Sequence, residues 1–228
     1  MRRALGCMAS ILALGANAFG GSALAQQAPA TAAAEAAAPM LDPFEHVMSA
    51  HAVAEFGRRQ RDPQALIVAA RMLQEVPFQD SGPAPAAADP AAPQPFTAEG
   101  LLAEARVLAK GDPQLLMQIN IAQSSSRGVL SSAFGTGLVR IVQVVAGKTA
   151  YSFPIKAKGG ELLRVGAIGD PKTRIAMRLR DARGRVVCSD DPGDSAPVCS
   201  LRPTAAGDYR VEVLNQGATS TRTVILSN

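Results

Sequence analysis

The 228-residue chain has no tryptophan, two tyrosines and seven phenylalanines, so aromatic residues make up only 4% of it. That excludes a large aromatic-rich core, because Phe, Tyr and Trp supply much of the buried area of such cores. Charged residues are also scarce, at 18% against about 25% in a typical soluble domain. A highly charged disordered protein is thereby excluded as well. Histidine occurs twice and cysteine three times, leaving little material for a metal centre or a nucleophile–base pair. Beyond the N-terminus no segment is apolar enough to span a bilayer.

What fills the gap is Ala, Gly and Pro, unevenly placed. Arg2 and Arg3 precede an apolar stretch to about Phe19, followed by Ala23, Leu24 and Ala25 ahead of Gln26. This basic start, apolar run and A-x-A pattern has the layout of a secretory signal peptide over 1–25. Residues 26–41 are mostly Ala, Gln, Pro and Glu, and read as a flexible segment. The remaining charge divides sharply. Residues 26–126 hold six basic and eleven acidic residues, and residues 127–228 hold fifteen basic and eight acidic. Such asymmetry points to two different units.

The acidic part reads as helical. Asp42-Pro43, Asp62-Pro63 and Asp112-Pro113 each place a capping carboxylate before a proline in the first turn, and Thr97 can cap another helix. Phe44, Val47, Met48, Ala52 and Phe56 recur at spacings of three and four, as do Leu66, Ala70 and Leu73. A helical region over 42–126 is expected, interrupted by an Ala/Pro linker at 78–95. Asp62-Pro63-Gln64 recurs as Asp112-Pro113-Gln114. This weakly resembles tetratricopeptide-type hairpins, although a period of 50 and only two copies favour a small bundle or a pair of docking helices over a solenoid.

Past Gly128 the period changes from 3.6 to 2. Tyr151, Phe153 and Ile155 alternate with Ser152 and Pro154, and Ile175, Met177 and Leu179 alternate with Arg174, Arg178 and Arg180. About eight short strands separated by Gly, Asp and Pro turns predict an antiparallel β-sandwich over 127–228. The fold class is therefore α+β, helical hairpins followed by a sandwich.

Four pieces occur in order in this half: VVAGKTAYSFPI, GGELLRVGAIGD, IAMRLRDARGRVVCSDD and AAGDYRVEVLNQG. From about residue 142 to 228 they resemble the bacterial pre-peptidase C-terminal domain. The resemblance implies a β-sandwich of the kind appended to secreted peptidases, where it aids secretion, folding or substrate contact. No peptidase domain precedes it here, so that activity is not carried over. Some members hold calcium with acidic residues, whereas this chain has Thr173-Arg174 where an acidic residue is frequent in the family.

With the signal peptide removed, Cys188 and Cys199 remain. An even count in an exported chain argues for a disulfide between them. Asp190, Asp191 and Asp194 lie within its loop. They read as an ordinary acidic turn, with a calcium site as the alternative; no other cofactor or metal is expected. Arg174, Arg178 and Arg180 share one strand face and Arg183 and Arg185 follow. They read as a solvated face, as a contact for an anionic partner (an acidic protein or an envelope glycan), or as a surface docked on the acidic helical half. Nucleic acid is excluded by export and by the lack of interleaved aromatics. His46 and His51, five apart, do not share a helical face, unlike an HExxH zinc pair. No nucleophile elbow or catalytic constellation is present.

The expected function is thus a non-catalytic binding or accessory protein of the periplasm or exterior of a Gram-negative-type bacterium. The alternatives are a chaperone or inhibitor companion of a separately encoded peptidase, and a hydrolase.

Overall fold

The computed structural model describes residues 42–82, 95–125 and 137–228. The expected signal peptide and flexible segment, most of the Ala/Pro linker and the helix–sandwich boundary lie outside them. The described residues form four helices, α1 (Pro43–Gln60), α2 (Pro63–Glu75), α3 (Ala98–Leu108) and α4 (Pro113–Ser125). They also form nine strands, β1 (Phe78–Asp80), β2 (Leu138–Val145), β3 (Ala150–Ala157), β4 (Leu163–Ile168), β5 (Ile175–Asp181), β6 (Val186–Asp190), β7 (Val198–Leu201), β8 (Gly207–Asn215) and β9 (Thr221–Ser227). The arrangement is α+β, and none of these helices is long and apolar enough to cross a membrane.

Each helix begins where the sequence places a cap. Asp42 accepts from the backbone N–H groups of Phe44 and Glu45, Asp62 from that of Gln64, Thr97 from that of Gly100, and Asp112 from those of Gln114 and Leu115. These carboxylates and the hydroxyl satisfy donors that a helix start leaves unpaired. Helix α1 stops at Arg61, which adopts a left-handed conformation with φ 55°, and the Asp62 N–H returns to the Gly57 carbonyl at 2.8 Å. That turn sends α2 back along α1.

The strands form two sheets. A middle sheet has the order β1-β2-β9-β4-β7, and an outer sheet has the order β3-β8-β5-β6. All pairings are antiparallel except that of β1 with β2. Strand β1 is an addition to the expected set: the segment read as the start of the linker extends the middle sheet by three residues. Its sequence, Phe-Gln-Asp, is too short to show alternation, and it is held by the parallel register Phe78 to Leu138 and by an Arg140–Asp80 ion pair at 2.6 Å.

Two apolar layers result. Val165, Ala167, Met177, Leu179, Val211, Val213 and Ile225 fill the space between the sheets. Phe44, Leu66, Leu101 and Ile119 from the four helices join Leu138, Ile168, Val224 and Leu226 on the opposite face of the middle sheet. The helices and the sandwich thus share a core, and the middle sheet is buried on both faces. This explains why Val224, Ile225 and Leu226 in β9 are all 1% exposed: alternate side chains enter different cores.

Helix α1 meets the middle sheet closely at Phe44, 2% exposed. A Cβ built on Gly166 of β4 would lie 2.9 Å from its Cζ. The ring therefore occupies space left by a missing side chain, and its burial contributes about 1.5–3 kcal/mol. Arg164, on the same strand, donates to Asp42 and lies 3.2 Å from Glu45, with its guanidinium 5.9 Å from the Phe44 ring. The cap of α1 and its first buried side chain are anchored on one strand.

Cys188 and Cys199 are joined by a disulfide with Cα atoms 5.8 Å apart. Because β6 and β7 are edge strands of different sheets, the bond staples one side of the sandwich. On the chain-entropy account it contributes roughly 3 kcal/mol.

Two outcomes follow for stability. Gly166→Ala lowers unfolding free energy by about 1–3 kcal/mol in urea titrations, and Phe44→Leu in the same chain recovers part of the loss; additive losses would refute the contact. Reduction of the disulfide lowers stability by about 3 kcal/mol, and alkylation of the intact unreduced protein labels neither Cys188 nor Cys199.

Candidate functional site

The four helices lie on the middle sheet, so they leave the far face of the outer sheet uncovered. Period-2 alternation decides which side chains appear there. Ile175, Met177 and Leu179 of β5 are buried, while Arg178 is exposed and Arg180 half-exposed. On β8, Val211 and Val213 point inward, which turns Asp208, Arg210 and Glu212 outward. On β3 the same alternation places Ser152, Pro154 and Lys156 outside.

Register then assembles a charged surface across three strands. Arg178 lies opposite Glu212, Arg180 opposite Arg210, and Lys156 opposite Asp208. Arg180 donates from Nε to Glu212 Oε1 at 2.8 Å, a diagonal contact. Two arginines directly across from each other repel, and Glu212 offsets only part of that. Among the described residues Arg178 and Arg210 make no ion pair, so this face keeps an excess of positive charge.

The five arginines expected to form one stripe are separated by the structure. Arg178 and Arg180 share the open face. Arg183 and Arg185 lie in the β5–β6 hairpin, where their N–H groups donate to Asp181 Oδ1 at 2.9 Å and Arg185 Nε to Oδ2 at 2.9 Å. The Arg185 hydrogen bond holds the Asp181 carboxyl below its usual range, aided by the two N–H groups, against a smaller opposing effect of burial. Arg174 is at the other end of β5, about 20 Å from Arg180 at the usual strand rise, in the wall of a cleft against α1. The helical half does not cover this stripe; it packs on the other sheet.

The acidic turn is also dispersed. Asp190 Oδ2 accepts from the Val198 N–H at 2.7 Å, Asp191 Oδ2 from Gln216 Nε2 at 2.7 Å, and Asp194 Oδ1 from the Ala196 N–H at 2.9 Å. Among the described residues no group of three or more His, Cys, Asp or Glu is placed to hold a metal ion. The histidines sit apart on α1: His46 lies 3.3 Å from Glu75, and His51 packs edge-on against Phe96 at 5.4 Å between ring centres. Burial lowers the pKa of His51, with Glu55 and Asp194 opposing the shift.

Sequence reasoning did not single out Lys156 and Arg210. Alternation within β3 and β8 turns both outward, but only strand pairing sets them beside Arg178 and Arg180. It also passed over Asp170, which is 8% exposed. Its Oδ2 accepts from the Arg222 N–H at 2.8 Å and from the Thr221 hydroxyl at 3.2 Å, while Oδ1 is buried with no hydrogen-bond partner. Burial raises the carboxyl pKa above 3.8, against the lowering effect of those hydrogen bonds and of Arg222 and Arg58.

No protein-family model matches the chain, and no curated protein matches it. Solved structures similar to part of it include the pre-peptidase C-terminal domain of a Bacillus anthracis collagenase, at 10% identity and a TM-score of 0.32, covering 38% of this chain and 84% of that one. Another is Aeromonas hydrophila PliG, a periplasmic inhibitor of g-type lysozyme, at 12% identity and a TM-score of 0.32, covering 41% and 87%. A third is the Yersinia pseudotuberculosis-derived mitogen, at 10% identity and a TM-score of 0.31, covering 40% and 85%. At these scores the likenesses assign no function.

Asp170 gives a pH prediction. A carboxyl whose folded pKa is raised destabilises the fold when ionised, and the penalty grows as pH rises from the unfolded value through the folded one. Asp170→Asn keeps an oxygen for the Arg222 N–H and removes the buried charge. Its stability relative to the parent therefore increases between pH 4 and pH 7 in paired urea titrations; a pH-independent difference would contradict the assignment.

Proposed function

We propose that the chain is an exported, non-catalytic binding protein whose open sheet face docks an acidic protein surface. The observation that carries this reading is the uncovered outer sheet with Lys156, Arg178, Arg180 and Arg210 set against only Asp208 and Glu212. Apolar Pro154, Val186 and Leu214 lie among the charges. Interleaved carboxylates oppose a uniform polyanion but suit a protein of complementary pattern. The staple between Cys188 and Cys199 fits an oxidising compartment, as does the signal-peptide layout. The resemblance to pre-peptidase C-terminal domains supports an accessory role outside the cytoplasm.

The size of the face limits its strength. Four strands of this length span roughly 20 Å by 25 Å, or about 500 Å². Each side of a standard interface buries about 800 Å². A complex made through this face alone is therefore transient and salt-sensitive, because rim charges act mainly through association rate and are screened.

The test is capture from periplasmic extract, followed by affinity measurement with the purified partner. Arg178→Glu combined with Arg210→Glu weakens the complex by about tenfold or more, the equivalent of about 1.4 kcal/mol, and flattens its salt dependence. An affinity that ignores both reversals, or hydrolase turnover by the purified chain, overturns the reading. A captured peptidase meeting the first criterion identifies the chain as that enzyme's companion.

A further inference from the structure

A cleft of about 550 Å³ opens between the last turns of α1 and two loops at one end of the sandwich. Its volume falls in the range of small-molecule sites, about 300–1,000 Å³. Three cations in its wall, Arg59, Lys172 and Arg174, are exposed and make no ion pair among the described residues. The fourth, Arg58, is already engaged: it donates to Glu55 at 2.7 Å and through two nitrogens to Glu104 at 2.9 and 2.7 Å. The cleft wall therefore holds these three cations against two carboxylates, Glu55, which is paired with Arg58, and Asp194.

The walls are pre-formed. The Gly169 N–H donates to the Ser195 carbonyl and the Ile175 N–H to the Asp194 carbonyl, both at 2.8 Å, so the two loops are stitched together. The Cys188–Cys199 bond closes the longer loop. At the end of α1, the Gly57 and Arg58 carbonyls accept from the Asp62 and Arg61 N–H groups. Lys172 sits at φ 68°, where Gly or Asn would fit at lower cost, yet the position carries an ammonium.

We propose that this cleft binds an acidic saccharide, with the sugar carboxylate on Arg59, Lys172 and Arg174. Asp194 spends Oδ1 on the Ala196 N–H and keeps Oδ2 to accept from ring hydroxyls. Thr173 donates its hydroxyl to the Asp170 carbonyl at 2.6 Å and retains lone pairs to accept another. The Pro171 ring and the methylene stems of the arginines offer apolar surface to the C–H face of a sugar. A bare inorganic anion uses only the cations; a uronate uses the cations, the acceptors and the apolar wall together. The site is separate from the outer-sheet face and does not depend on it.

The experiment is calorimetric titration of the purified full chain with a glucuronate-containing disaccharide, a neutral glucose disaccharide and inorganic phosphate. The uronate binds saturably with a dissociation constant below about 1 mM, and the neutral sugar and phosphate bind at least tenfold more weakly. Arg59→Glu and Lys172→Glu each weaken uronate binding by about tenfold, and the exposed, unpaired Arg174→Gln acts in the same direction with unchanged thermal stability. The outer-face pair Arg178→Glu and Arg210→Glu leaves it unaltered. Absence of saturable uronate binding overturns the proposal, as does phosphate binding as tightly as the sugar acid. Uronate binding insensitive to the cleft variants, or lost with the outer-face pair, overturns it too.

Discussion

The structure depends on the middle sheet being buried on both faces. One face meets the outer sheet, the other meets the helices, and neither layer could be removed without exposing the sheet. The contact of Phe44 with Gly166 is one place where this constraint shows. A side chain at residue 166 would lift α1, and lifting α1 would uncover Ile168, Val224 and Leu226 together, since they belong to the same apolar cluster. Arg164 ties the α1 cap to the same strand through Asp42 and Glu45. The opposite charges of the two halves thus meet within one body. A basic strand residue engages the acidic start of a helix.

This accounts for what could and could not be read from the amino acids. Helix starts were legible because a cap is local: Asp42, Asp62, Thr97 and Asp112 each act within three residues. Strand positions in the sandwich were legible because exposure alternates along β3 and over residues 177–180 of β5. The two-unit impression came from charge, a quantity blind to packing, while the helices and sandwich fall within one compact unit. The Val224–Leu226 run carried the clue, because three consecutive buried apolar residues in a strand require cover on both sides. Strand β1 was illegible because three residues hold no period, and its parallel partner lies sixty residues away.

The candidate sites show the same division. The disulfide followed from cysteine parity. The arginine stripe followed from alternation along β5, but a strand is a line and a surface has two dimensions. Lys156 and Arg210 joined Arg178 and Arg180 through pairing, whereas Arg174, of the same parity, was carried to the far end. The three aspartates looked convergent in sequence, yet each accepts from a different group. Two accept from backbone N–H groups of their own loop and Asp191 from the Gln216 side chain, and these separate partners hold the carboxylates apart.

Covering one sheet and not the other also determines where binding surfaces can arise. The helices abolish the middle sheet as a surface and create an edge where α1 meets the sandwich loops. An open sheet face and a concave junction are therefore consequences of one packing choice. They differ in what they can recognise. The open face spreads its charges over three strands, so it suits many weak, screened contacts with a partner of similar size. The junction has walls on two sides, fixed by backbone hydrogen bonds and the disulfide, so few groups can orient a small ligand. The positive excess of the C-terminal half is divided between them. Arg178 and Arg210 lie on the first, Lys172 and Arg174 in the wall of the second, and Arg59 joins that wall from the acidic half because α1 ends there.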